Sequence, residues 1–271
     1  MVVFIMKNKI TLALILLSGL VFADDIFINE FEQNIAIRVS QSDIVDPHLY
    51  VRLLGIFCTD ITAEVNTQIQ SSIDTDSDAD GFLDNNIITQ FSSDQPAYIT
   101  SRNLTVDFID GNCPDPLHSS ACETTQVQQA DIGTDFNLAD TCLQPFAGTA
   151  SSYSPAPNIT TGPCYLTSPI TTTFNLAGID VAFQGYQQAA RYPGSLNLDN
   201  GLRMGFISEV DAENVVFSAD TPIVGGQTLA SLLPGGAGNC SSNDDRDLFT
   251  DNVTTGWWFY FNTTSELIEL Q

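Results

Sequence analysis

The sequence predicts a β-rich α+β fold, with antiparallel sheet or sheets, one or two short helices and disulfide-pinned loops. Three observations lead there. Apolar and polar residues alternate over several short segments, the period of a strand. Only a few windows show helical spacing, and nothing shows the regular strand–helix alternation of a parallel sheet. Six cysteines are spread over a chain with 12 prolines and 18 glycines. The 271 residues are 43% apolar and 15% charged, enough for a folded core and too apolar for a disordered acidic tail.

Element by element, Asp25 to Val39 alternates in part and reads as strand, through Ile26, Ile28, Phe31, Ile35 and Ile37. Leu49 to Phe57 reads as a second, more apolar strand leading to Cys58. A helix is predicted from Thr59–Glu64, capped by Asp60 or Thr62, with Val65, Ile69 and Ile73 on one face. It ends in an Asp-rich loop from Asp74 to Asp84, after which Ile87 to Phe91 is a short strand. Ala97 to Ile109 reads as strand. The stretch 110–165 holds four cysteines and six prolines with little periodicity, and reads as loops. Ile170–Leu176 and Ile179–Phe183, around Ala177-Gly178, form the clearest hairpin signal. Leu202 to Val216 is ambiguous: Ser208 to Glu213 favours a helix, with Leu202, Phe206 and Val210 inward. Thr228 to Leu233 suits one helical turn, and Trp257 to Phe261 an aromatic strand.

The first 23 residues have the layout of a secretory signal peptide. Lys7 and Lys9 form a basic start, Ile10 to Phe22 is an uncharged apolar run of 13 residues, and Val21 and Ala23 fit the −3 and −1 positions. The run falls short of the roughly 20 residues that a membrane span requires. The expected organisation is therefore a signal peptide over 1–23 and one exported domain over 24–271. Secreted, periplasmic or cell-surface placement follows, with no membrane insertion after cleavage. Removing residues 1–23 takes away both lysines, leaving six arginines against 33 acids, a net charge of −27. No basic cluster exists, which argues against binding nucleic acid or anionic membranes.

An even cysteine count in an exported chain reads as disulfides. No Cys-x-x-Cys pair occurs, so zinc-ribbon and thioredoxin-like readings fail. Six cysteines allow 15 pairings. Short loop closure favours Cys113–Cys122 and Cys142–Cys164, which leaves Cys58–Cys240 to join the two halves of the chain.

The strongest chemical signal is the run from Asp74 to Asp84, with carboxylates at Asp74, Asp76, Asp78 and Asp80, then Gly81, then Asp84. Alternate carboxylates in one loop suit a hard cation, and Ca²⁺ accepts more carboxylates than Mg²⁺ does. The expected ligands are Asp74, Asp76, Asp78, Asp80, the Phe82 carbonyl and Asp84, with Leu83 anchoring the loop. Over about a dozen residues the run resembles the calcium loops of thrombospondin type-3 repeats, EF-hands and dockerins. It departs from the EF-hand pattern at Ile87, where a bidentate Glu would stand, and the following segment reads as strand. A weaker acidic cluster, Asn243 to Asp247 near Asp251, suits either a second cation or an ion pair within the loop through Arg246.

Catalytic patterns are missing. The two histidines, His48 and His118, have no metal-ligand spacing, and neither a Gly-x-Ser-x-Gly elbow nor a phosphate loop occurs. Five Asn-x-Ser/Thr sequons (Asn103, Asn158, Asn239, Asn252 and Asn262) read as incidental beside a signal peptide of bacterial style. The phrases Gly205–Ala212, Leu232–Cys240, Asp244–Asp247 and Gly256–Tyr260 look like those of uncharacterised exported bacterial proteins. That resemblance implies one integrated domain and no particular activity. The expected function is thus an exported or cell-surface non-enzymatic protein with a structural Ca²⁺ loop, whose partner is a cell-surface glycan or protein. Two alternatives stand beside it: a carbohydrate-binding or adhesive module using the calcium site or Trp257–Phe261, and a secreted hydrolase using a carboxylate pair.

Overall fold

Period-two segments along this chain pair into one antiparallel circuit. The computed structural model describes residues 36–92, 104–176, 179–194, 197–219, 221 and 223–271. The expected targeting segment, the strand residues before Ala36, the start of the strand expected over 97–109, the turn at Ala177-Gly178 and the sequon at Asn103 lie outside the described residues.

In chain order the elements begin with β1 (Ala36–Asp46), β2 (Tyr50–Leu53), β3 (Phe57–Asp60) and α1 (Thr62–Asp74). They continue with β4 (Ile87–Phe91), β5 (Thr105–Asn112), β6 (Glu123–Asn137), β7 (Thr141–Leu143) and β8 (Thr160–Thr161). Next come β9 (Cys164–Thr167), β10 (Ile170–Leu176), β11 (Ile179–Arg191) and β12 (Asn197–Ser208). The last are α2 (Glu209–Asn214), α3 (Leu229–Leu232), β13 (Asp247–Leu248) and β14 (Thr255–Ile268). Pairing runs β1–β4–β5–β6–β9–β11–β12–β14, and β14 pairs back to β1. Eight antiparallel strands thus close into a barrel. β10 lies beside the first half of β11, β13 adds to β14, and β2–β3 and β7–β8 are separate two-stranded ribbons.

This corrects the α+β expectation: the protein is mostly β, a closed barrel with three short helices among its described residues. Two segments account for the difference. Of the ambiguous Leu202 to Val216, the expected helix at Ser208 to Glu213 is present as α2, capped by Ser208, whereas Leu202 to Ser208 belongs to β12 and each of its residues is buried. Ile207 belongs to the lumen cluster and Leu202, Met204 and Phe206 to the covered outer one, so apolar residues on both faces imitate helical spacing. Glu123 to Asn137, expected as loop, is the 15-residue β6, whose first six residues are exposed. Backbone pairing with β5, from Asn112↔Glu123 to Thr105↔Gly133, makes it a strand without an apolar face. Leu49 to Phe57, expected as one strand, folds into the β2–β3 hairpin, with Leu54 and Gly55 at positive φ in its tip.

Other expectations hold. The 170–183 hairpin, the strand at Ile87–Phe91, the helical turn at Leu229–Leu232 and the helix ending at Asp74 are all present. Thr228 caps α3 by accepting from the Ser231 N–H, whereas the N-cap of α1 is Ile61, with Asp60 accepting from the Thr62 N–H one residue earlier.

The lumen is filled by Ile37, Val106, Phe183, Tyr186, Ile207, Trp257, Phe259 and Phe261. Gly205 makes room for this packing, since a Cβ there would meet the Phe183 ring at 2.7 Å. A polar layer crosses the same space: the Gln188 side-chain amide donates to Thr89 Oγ1 at 2.8 Å and to the Tyr165 hydroxyl at 3.1 Å. The other face of β14 is also covered. Trp258 and Tyr260 pack with Leu202, Met204 and Phe206 beneath the 143–149 segment, where Phe146 meets Trp258 edge-on at 4.6 Å. Complete burial of side chains of this size contributes about 1.5–3 kcal/mol each.

Three disulfides brace the outside: Cys113–Cys122, Cys142–Cys164 and Cys58–Cys240. No cysteine is free. Cys58–Cys240 spans 182 residues and ties the β2–β3 hairpin to the chain before β13. The double replacement Cys58→Ser with Cys240→Ser is expected to cost about 2–5 kcal/mol, because the unfolded chain regains the entropy of a long loop. Denaturant unfolding of the oxidised protein checks this, and an unchanged midpoint would contradict the bracing role.

Candidate functional site

Helix α1 delivers the chain into the Asp-rich loop. At its end the Thr75 N–H and Thr75 Oγ1 both reach the Ser71 carbonyl, at 3.0 Å and 2.6 Å. The Asp84 N–H then donates to the Thr75 carbonyl at 2.9 Å and closes the neck of the loop. The far side is stitched to the Cys113–Cys122 strap. The Leu83 N–H donates to the Cys113 carbonyl at 2.9 Å, and the Asp115 N–H to the Gly81 carbonyl at 3.0 Å. Leu83 is buried, as its apolar character predicted, beside Ile88, Ile109 and that disulfide.

Within this frame the backbone folds its carboxylates inward. Gly81 has φ of +94° and Ala79 of +60°, the latter a conformation costing a non-glycine residue about 1–2 kcal/mol. Asp76 accepts from the Gly81 N–H at 2.7 Å and the Asp80 N–H at 3.1 Å, and Asp84 accepts from the Ser77 N–H at 2.9 Å. Oxygens of Asp76, Asp78 and Asp84 lie within 4.8 Å of one another, a group that can hold a metal ion. Desolvation opposes ionisation of Asp76, but the N–H groups of Gly81 and Asp80 outweigh it and hold that carboxyl below the usual range. Asp78 is pushed up, chiefly by the charge of Asp80.

Three of the six expected ligands therefore converge. Asp80 turns its oxygen to the Phe82 N–H at 2.9 Å, and Asp74 accepts from the Gln70 side chain at 2.8 Å. Neither belongs to the converging group. Phe82 is held beside Pro114 in an isolated antiparallel bridge.

The second acidic cluster resolves into an ion pair. Arg246 grips Asp244 with two contacts of 2.9 Å and 2.7 Å and reaches Glu209 at 3.4 Å. Asp245 and Asp247 turn elsewhere and, with Asp46 from the end of β1, form a carboxylate group that spacing did not reveal, because about 200 residues separate its parts. Burial, followed by the charges of Asp245 and Asp247, raises Asp46 to about 7. Burial with Asp245 nearby raises Asp247 likewise to about 7. Tyr153 donates to Asp245 at 2.5 Å and stacks on His48 at 3.7 Å, and His48 Nδ1 lies 2.6 Å from Asp60. His118 sits far along the chain beside Glu266, 3.8 Å away. Trp257 and Trp258 are both buried, so the aromatic strand presents no sugar-stacking face.

Among the described residues no helix is long and apolar enough to cross a membrane. The three disulfides are compatible with an extracellular location. Comparisons with protein-family models, with curated proteins and with solved structures found no match to this chain.

The raised carboxyls set a pH dependence. An unfolded Asp titrates near 3.9, so between about pH 4 and pH 7 the unfolded chain releases protons that the native Asp46 and Asp247 retain. Stability from this source is full below that window and is lost as pH rises through it. Asp46→Asn removes the charge yet keeps an acceptor for the Ser151 N–H. Its melting midpoint is expected about 2–4 °C above the parent at pH 8, close to 1 kcal/mol for a domain of this size, and unchanged at pH 4. Calorimetry at both pH values checks this, and equal midpoints at pH 8 would contradict it.

Proposed function

We propose that this chain is an exported, non-enzymatic protein, secreted, periplasmic or at the cell surface, whose barrel is braced by a structural Ca²⁺ at the Asp76–Asp84 loop. The observation that carries this is the approach of Asp76, Asp78 and Asp84 oxygens to within 4.8 Å in a loop anchored at its neck and along the disulfide strap. Three carboxylates so close repel one another unless a cation lies among them, and a hard divalent ion with many oxygen ligands suits them best. Backbone carbonyls and water would complete the shell.

Export is supported by the basic, apolar and small-residue pattern of residues 1–23 and by three disulfides. A soluble rather than membrane-inserted domain is supported by the lumen, which is packed with apolar side chains, while the outward Trp258 and Tyr260 lie under covering chain. A transmembrane barrel has the opposite arrangement. The absence of basic clusters speaks against a nucleic-acid partner, and a cell-surface glycan or protein remains the partner class.

Chelation should lower the melting midpoint, and added Ca²⁺ should restore it. At a hundredfold excess over the dissociation constant the gain is about 2.7 kcal/mol, or roughly 5–10 °C for a domain of this size. The expected affinity is of the extracellular kind, about 10⁻⁴–10⁻³ M. Asp78→Ala and Asp84→Ala should each abolish the response while leaving a folded, disulfide-bonded protein. A melting curve unaffected by chelator, with no calcium heat at millimolar concentration, would overturn the proposal.

A further inference from the structure

The barrel lumen holds a charge that no group among the described residues balances. Arg203, on β12, is 7% exposed. Its register partner is Phe261 on β14, and it lies on the inward side of the barrel with Phe183 and Tyr186. The other paired arginines show what a satisfied guanidinium looks like in this protein. Arg38 donates to Asn86 at 2.7 Å and reaches Glu266 at 3.4 Å, Arg191 makes two 2.7 Å contacts with Asp199, and Arg246 grips Asp244. Arg203 makes no hydrogen bond or ion pair among the described residues. Its charge acts on the hydroxyls of Tyr165 and Tyr186, which burial keeps neutral and which therefore supply no counter-charge.

A second group is left over at the same place. The Tyr186 hydroxyl is buried and has no hydrogen-bond partner, whereas the Tyr165 hydroxyl is engaged by Gln188. Arg203 and Tyr186 both line a cavity of about 30 Å³, whose other walls include Phe174, Phe183, Phe261 and Ser42. Such a space admits a water or a small anion. Water would satisfy the phenol but not the charge. An unpaired guanidinium in an apolar lumen carries a large desolvation cost, which an anion at hydrogen-bond distance offsets.

We infer that this cavity binds a small monovalent anion, a carboxylate or a halide, held by the Arg203 guanidinium and the Tyr186 O–H. Both groups are donors toward it, and no carboxylate lines the cavity to compete. A larger cleft of about 240 Å³, lined by residues of β4, β5 and β10, shares Ile87 and Phe174 with the first cavity. Its apolar part, with Phe108 and Ile109, offers room for a tail, so the carboxylate of a small apolar acid fits the two spaces together. Asp110 and Asp180 line this larger cleft and not the first cavity, so they repel an entering anion and slow entry at low salt without lining the site of the bound group.

The test is isothermal titration of chloride, acetate and hexanoate into the full chain, at constant ionic strength set with a bulky buffer anion. Saturable binding is expected, weakened about tenfold or more in Tyr186→Phe and lost in Arg203→Met, as the loss of charge-assisted hydrogen bonds implies. Hexanoate binding above acetate identifies an apolar acid as the ligand; tighter chloride identifies an inorganic ion at the same site. If Arg203→Met does not fold, Tyr186→Phe alone decides, since it removes one oxygen and nothing the barrel leans on. No saturable heat for any of the three anions, or affinities unchanged in Tyr186→Phe, would overturn the site.

Discussion

Pairing between β1 and β14 turns a sheet with two open edges into a barrel with none. The register runs from Ala36↔Ile268 to Asp46↔Tyr260, so nearly the whole of β1 is committed to it. Unpaired, both strands would expose rows of backbone N–H and C=O groups, and the lumen would open to water. Both irregularities in this seam are used. The register shifts near Val39–Gln41 and Ile44–Asp46, and α1 meets the backbone groups released there. Gln70 donates to the Ser40 carbonyl, and Asn66 exchanges two bonds with the backbone of Ile44. Arg38, also on β1, reaches the Ile73 carbonyl at the end of α1, the Asn86 side chain and Glu266 of β14. The helix, the metal loop that follows it and the seam are therefore one connected unit.

Closure also creates an inside and an outside for each strand, and this protein covers much of both. β12 and β14 bury aromatic and aliphatic side chains in the lumen and again beneath the disulfide-held 142–164 segment. The Tyr260 hydroxyl is bonded to Thr149 and to the Phe146 N–H, which fastens that segment to the barrel wall. Inside, most polar groups find partners in the layer of Gln188, Thr89 and Tyr165. The Tyr186 hydroxyl does not, Arg203 beside it makes no hydrogen bond among the described residues, and a buried polar group left over in such an interior is where a ligand is expected.

Local signals in the sequence were legible where one short segment decides its own structure. The hairpin around 177–178, the end of α1, the turn at Leu229–Leu232 and the inward-folding Asp loop all belong to that group. The cysteine pairing was legible as well, because loop closure leaves few economical choices. Closure of the barrel was not, since β1 and β14 pair across more than 200 residues and nothing in either segment names its partner. Burial on both faces left the β12 part of 202–216 ambiguous, although the helix after Ser208 was legible, and β6 was hidden because its first half has no apolar face. Of the loop carboxylates, Asp74 and Asp80 matched the spacing rule but are engaged by Gln70 and by the Phe82 N–H, choices made by side-chain rotamers rather than spacing. Arg203 carries no sequence motif, and its isolation is visible only once the lumen has formed.

The closed barrel depends on the seam, and native-state hydrogen exchange tests that closure most directly. Amides of β14 that pair with β1, from Tyr260 to Ile268, should exchange among the slowest in the molecule, in step with their partners in β1 and with the β12–β14 ladder. The β2–β3 ribbon and the exposed half of β6 should open at much lower free energy. Seam amides that exchange as fast as that ribbon, while β11 and β12 stay protected, would show an open sheet and contradict the closed barrel.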